Sequence, residues 1–164
     1  MPAKAKSTKA EVFYIKAEVP YRYTDNPNIP YRVIALLPNT DLYSLGMLVL
    51  NAFEFDDDHP FSFLNNVRRH SKSTISYELP EMMFDLQPIF GEDRGLQELD
   101  MTKFTVKDLF TRKGKKWLML FDFGDEWEFT LTLTDRRPVE QEKKYPYLAE
   151  LKYDPPVQYP NDEW

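Results

Sequence analysis

An α+β fold is predicted by three features of this 164-residue sequence. Residues 116–133 read as two strands folded about a Gly-Asp bend. Asp41 opens a stretch with helical apolar spacing, and the segments at 11–19 and 31–37 are rich in β-branched and aromatic residues.

Glu11 to Val19 forms the first strand, and a loop rich in Pro and Asn from Pro20 to Pro30 leads to the second, Tyr31 to Leu37. Their connection is too short for a helical crossover, so the pair is antiparallel. Asp41 caps the following helix, whose apolar stripe is Leu42, Leu45, Val49, Ala52 and Phe53. Gly46 lies inside it at a cost of roughly 1 kcal/mol relative to alanine, which points to close packing against another element. Phe61 to Leu64 reads as a short strand after an acidic turn, Thr74 to Leu79 as another, and Pro80 to Leu99 as a long excursion. Thr105 and Asp108 fit a capping box ahead of Leu109 and Phe110. Lys113-Gly114-Lys115 turns that short helix into the hairpin.

With Gly124 and Asp125 as the central pair of a two-residue turn, Asp122 faces Trp127, Leu120 faces Phe129 and Leu118 faces Leu131. Trp127, Phe129, Leu131 and Leu133 then share one face, with Glu126, Glu128, Thr130 and Thr132 on the other. The first strand is apolar on both faces, which places it centrally in a sheet. In this register Asp122 lies on the core side and is expected to hold the turn through backbone N–H groups, the Trp127 indole or a basic side chain. Trp117, Phe121 and Phe123 lie beside acids as a candidate aromatic surface, with cover by another element as the plainer reading.

Composition excludes several functions. With no cysteine there are no disulfides, Cys-based zinc sites or thiol nucleophiles. The N-terminus has no apolar run for a secretory signal, and Leu45 to Phe53 is too short for a membrane span, so the expected compartment is the cytoplasm. Residues 1–10 form a basic, flexible tail with three lysines and no acid, leaving 18 basic against 27 acidic residues, a balance of −9, for the rest. An acidic body repels phosphate backbones, so nucleic-acid binding is expected to be weak or absent. One domain spans residues 11–153, and a Pro-rich acidic tail closes the chain at 154–164.

Motifs for catalysis largely fail. Asp122-Phe123-Gly124 spells the magnesium-binding triplet of kinases, but the Gly-rich loop, strand lysine and catalytic loop are missing. Asp56, Asp57, Asp58 and His59 suggest a solvated acidic turn, because consecutive residues cannot all converge on one ion. Pro155-Pro156-Val157-Gln158-Tyr159 is one residue off a WW-domain ligand. No metal or cofactor is expected, and no enzyme.

Several stretches resemble the plasmid ORF-3-like family. Ile29-Pro30-Tyr31-Arg32-Val33, Leu42, Leu45 and Leu48, then Phe53 to His59 and Phe63, resemble its first half. Val106 to Phe110 and Phe121-Asp122-Phe123-Gly124-Asp125-Glu126-Trp127 resemble its second, and Tyr145-Pro146 and Pro155-Pro156 its close. The resemblance implies an α+β domain with a curved, barrel-like, mostly antiparallel sheet capped by helices. It also implies an association with plasmids and insertion elements, some members being labelled resolvase-like passenger proteins of transposons. Gly46 and Phe129 stand where that family often has histidine. The leading expectation is therefore a non-catalytic accessory acting through a protein partner, as a monomer or small homo-oligomer. The first alternative is a nucleic-acid accessory factor using Lys4, Lys6, Lys9 and the Arg112-Lys113-Lys115-Lys116 turn. The second is a metal-assisted hydrolase using Asp58, Asp122 and Asp125.

Overall fold

Alternation along the strands sets the architecture of the computed structural model, which describes residues 10–83 and 95–160. The strands are β1 (Glu11–Glu18), β2 (Tyr31–Leu36), β3 (Phe61–Leu64), β4 (Ile75–Glu78), β5 (Gln97–Asp100), β6 (Lys116–Phe121), β7 (Trp127–Pro138) and β8 (Tyr147–Lys152). They form one sheet in the order β5-β4-β3-β6-β7-β1-β2-β8, antiparallel except for β4 with β5. On β7, Trp127, Phe129, Leu131 and Leu133 are buried while Glu128 is exposed, a period of two with one face on the core. Helices α1 (Leu42–Ala52) and α2 (Val106–Leu109) cover that same face. The reverse face carries two small apolar clusters, one around Tyr14 and Val33 and one around Leu118 and Leu120.

The expected barrel-like closure is not found. β5 and β8 each pair with a single neighbour among the described residues, so the sheet is open with two edges. A barrel requires its first and last strands to pair; here the two ends of the strand order, four-residue β5 and β8, are not paired with each other. The excursion expected from Pro80 to Leu99 contains β5, and its residues 84–94 lie outside the described residues.

Local chemistry explains the helices. The Asp41 carboxylate accepts the Ser44 N–H at 2.7 Å and its hydroxyl at 2.9 Å, satisfying a donor at the start of α1. At the other end, buried Arg32 donates to Ala52 O at 2.9 Å and also reaches Lys152 O and Tyr153 O, joining helix, β2 and β8. Asp108 accepts from the Thr105 N–H at 2.8 Å, completing the capping box of α2. Gly46 packs face-on against β3: a Cβ there would lie 2.1 Å from Phe61 Cε2. Phe61 is itself buried and stacked on Tyr43, with 5.7 Å between ring centroids, so it has little room to yield. Gly46→Ala is therefore expected to destabilise. Overpacking costs about 1–3 kcal/mol and outweighs the gain of about 1 kcal/mol in helix propensity. A denaturant midpoint at or above that of the wild type would contradict the close approach.

The hairpin differs from the sequence expectation by one residue. Phe121 faces Trp127, Met119 faces Phe129 and Trp117 faces Leu131. The bend holds five residues, Asp122 to Glu126, closed by the Glu126 N–H on Asp122 O at 2.6 Å. Asp122 and Glu126, not Gly124, take left-handed backbone, with φ of 61° and 53°. The cause is Asp122: its carboxylate accepts two N–H groups inside the bend, which lengthens the loop. A one-residue slip reverses the faces of β6. Trp117 and Phe121 are consequently buried, and Trp117 Nε1 donates to Leu109 O at 2.8 Å. Of the proposed aromatic surface, Phe123 is exposed and the other two belong to the core.

Candidate functional site

Four segments meet at the bend of the β6–β7 hairpin: the loop after β1, the acidic turn before β3, the bend itself and the Pro-rich stretch after β8. Asp122 is the centre. It is 6% exposed, and its Oδ1 accepts the N–H of Gly124 at 3.1 Å and of Asp125 at 3.2 Å. Its own N–H donates to Pro60 O at 3.1 Å, and Oδ2 lies 3.4 Å from His59 Nε2. The bend is thereby tied to the turn at residues 56–59.

That turn reaches onward to the C-terminal stretch. Asp58 accepts from the Tyr159 hydroxyl at 2.7 Å and from Gln158 Nε2 at 3.3 Å, and lies 4.0 Å from His59. Gln158 also brackets Asp56, accepting its N–H at 2.7 Å and donating to its carbonyl at 3.1 Å. Burial, and then the bond to Asp58, push the Tyr159 hydroxyl above its ordinary pKa, so it stays a donor. The Pro-rich stretch, set apart as a tail by its composition, lies against the domain through Tyr159. Asp57 is exposed beside these contacts.

Arg22 secures the far side. It donates to Asp125 O at 2.6 Å and to Glu126 O, and its guanidinium sits 3.8 Å from the centroid of the Trp127 ring. Trp127 is 2% exposed, edge-on to Phe55 at 4.9 Å, and its indole N–H has no hydrogen-bond partner among the described residues. A cleft of about 270 Å³ opens beside it, walled by Tyr21, Tyr23 and Pro155.

Both histidines approach the hairpin, which no local spacing signals. His59 sits between Asp58 and Asp122, and His70 Nε2 lies 3.6 Å from Glu126 and 3.8 Å from Glu128. Among the described residues, no three His, Asp or Glu side chains are placed to hold a metal ion. Asp58 and Asp122 meet through His59, whereas the bond that engages Asp125 with Arg22 runs through its carbonyl. Of the basic turn, Lys113 lies 3.7 Å from Asp135, and Lys116 donates to Thr132 on the reverse face at 3.1 Å. Lys4, Lys6 and Lys9 lie outside the described residues. A second cleft, about 460 Å³ on the reverse face, holds Glu78, whose carboxyl is pushed up by burial against the hydrogen bond from Ser76.

The family model described as plasmid pRiA4b ORF-3-like protein matches residues 23–158, a span that covers most of the site. The structure is similar to the crystal structure of a protein of unknown function, MM3350 from Methanosarcina mazei Go1. The TM-score is 0.66 at 19% identity, over 92% of this chain and 74% of that one. No curated protein sequence matches. No described helix is long and apolar enough to cross a membrane.

Proposed function

The chain belongs to the plasmid pRiA4b ORF-3-like family, and from that premise we propose that it is a non-catalytic interaction domain, an accessory of a mobile element. One observation carries the non-catalytic part: Asp58, Asp122 and Arg22 are bonded to the protein itself, while the Asp125 carboxylate stays exposed in the bend. Asp122 holds two backbone N–H groups and faces His59, Asp58 holds Tyr159 and Gln158, and Arg22 holds two carbonyls. A catalytic acid or base needs to reach the proton it transfers, and these groups reach one another. The signature residues Asp122, Gly124, Asp125 and Trp127 thus act as a clasp, and Phe123 stays exposed beside it. Support for the mobile-element role is the plasmid reading frame in the family's description.

Titration with magnesium, manganese and zinc tests the proposal. A ligand that binds the native state raises the melting temperature by mass action. The expected result is no change with any of the three. A rise that disappears in Asp122→Asn would establish a metal-assisted site and overturn the reading.

A further inference from the structure

The free edge at β8 carries a pattern unrelated to the bend. Where β8 pairs with β2, Val33 faces Glu150 and Ile34 faces Leu148, so Ala149 is the extra residue of a bulge. Ala149 and Glu150 both turn to the reverse face, where they line one cleft with Tyr14, Tyr31 and Val33. Leu148 is paired with Ile34 of the core, and Leu151 with Arg32, whose side chain reaches the end of α1. Tyr147 and Lys152 pair with Ala35 and Tyr31 of the reverse-face cluster.

Outward from the 149–150 bond the strand therefore has the same face order in both directions: reverse, core, reverse. A regular strand alternates with period two, so residues an odd number apart face opposite sides and cannot oppose each other across a two-fold axis normal to the sheet. The bulge removes that mismatch. Leu148 is 44% exposed and Leu151 59%, although both lie on the core face, and no strand pairs with the outer side of β8 among the described residues. Both edges carry charges of the kind that discourage edge pairing, Glu98 and Asp100 on β5 and Glu150 and Lys152 on β8, and β8 differs in adding two exposed leucines.

We propose that β8 is a self-association edge. Two copies of this chain pair antiparallel through β8 about a two-fold axis at the Ala149–Glu150 bond. Leu148 of each copy then opposes Leu151 of the other, and Tyr147 opposes Lys152. The four leucines bury one another on the core face, which is the favourable term. Glu150 meets its own copy diagonally across the axis, which opposes association, although the Tyr31 hydroxyl donates to it at 2.7 Å. One strand pair is smaller than the ~1,600 Å² of a standard interface, so the dimer is weak and depends on concentration.

Sedimentation of the full chain should show the 19.5 kDa monomer in exchange with a dimer; a monomer throughout the high-micromolar range overturns the proposal. Leu148→Lys combined with Leu151→Lys should be monomeric at an unchanged melting temperature, and a dimer that persists overturns it too. The register has its own test, because the chain has no cysteine. Directly opposed Cβ atoms lie about 4.5–5.5 Å apart, so on oxidation a mixture of Leu148→Cys and Leu151→Cys chains should crosslink at least about tenfold more than either alone. Equal crosslinking in the separate samples would refute the axis. None of these outcomes bears on the bend.

Discussion

Trp127→Ala is expected to lower stability by about 3–5 kcal/mol, the cost of truncating a large buried aromatic side chain. The ring is 2% exposed, contacts Phe55 edge-on, and carries the Arg22 guanidinium on one face. Without the ring Arg22 loses its platform, and with it the carbonyls of Asp125 and Glu126 lose their donor. One term acts in the other direction: the indole N–H has no partner among the described residues, and an unsatisfied buried donor costs about 1–3 kcal/mol. Trp127→Phe keeps a ring and removes that donor, so it is expected to cost much less than Trp127→Ala. Equilibrium unfolding in denaturant separates the two. An alanine variant with an unchanged midpoint would contradict the packing at the bend, and a phenylalanine variant as damaged as alanine would show that the indole nitrogen matters.

Asp122→Asn is expected to cost about 1.5–3 kcal/mol, the range for hydrogen bonds to a charged group. Asparagine is the informative replacement, because it tolerates the left-handed backbone that Asp122 adopts at φ 61° and keeps an acceptor for Gly124 and Asp125. What it loses is the negative charge that strengthens those bonds and faces His59. A metal site predicts the opposite sign: clustered carboxylates repel when empty, and neutralising one relieves them. Thermal and denaturant unfolding of the variant in the absence of divalent ions distinguishes the two. A variant as stable as the wild type, or more so, would count against the clasp.

The contrast between these two residues shows what was legible in the chain. Trp127 is assigned to the core by alternation along β7, which needs only the neighbours of each residue. Asp41, Thr105 and Asp108 are recognised as caps because cap chemistry acts within three residues. Gly46 is suspect from its cost within the helix, and Phe61 supplies the reason. The hairpin register is not legible. Two backbone donors bonded by Asp122 convert a two-residue turn into a five-residue loop, and that single change moves Trp117 and Phe121 from surface to core.

The sequence by itself determined the α+β class, most strand and helix positions, the antiparallel β1–β2 pair, the central place of β6 and the family resemblance. All of these rest on periodicity, capping or short motifs, which are forces between near neighbours. Tertiary structure alone decided that the sheet stays open, that Arg22 stacks on Trp127, that both histidines approach the hairpin, and that residues 154–160 lie on the domain. The last three join segments tens of residues apart, such as Asp58 and Tyr159. Pairings of that kind follow from how the strands are ordered and where their edges end, and no local spacing records them.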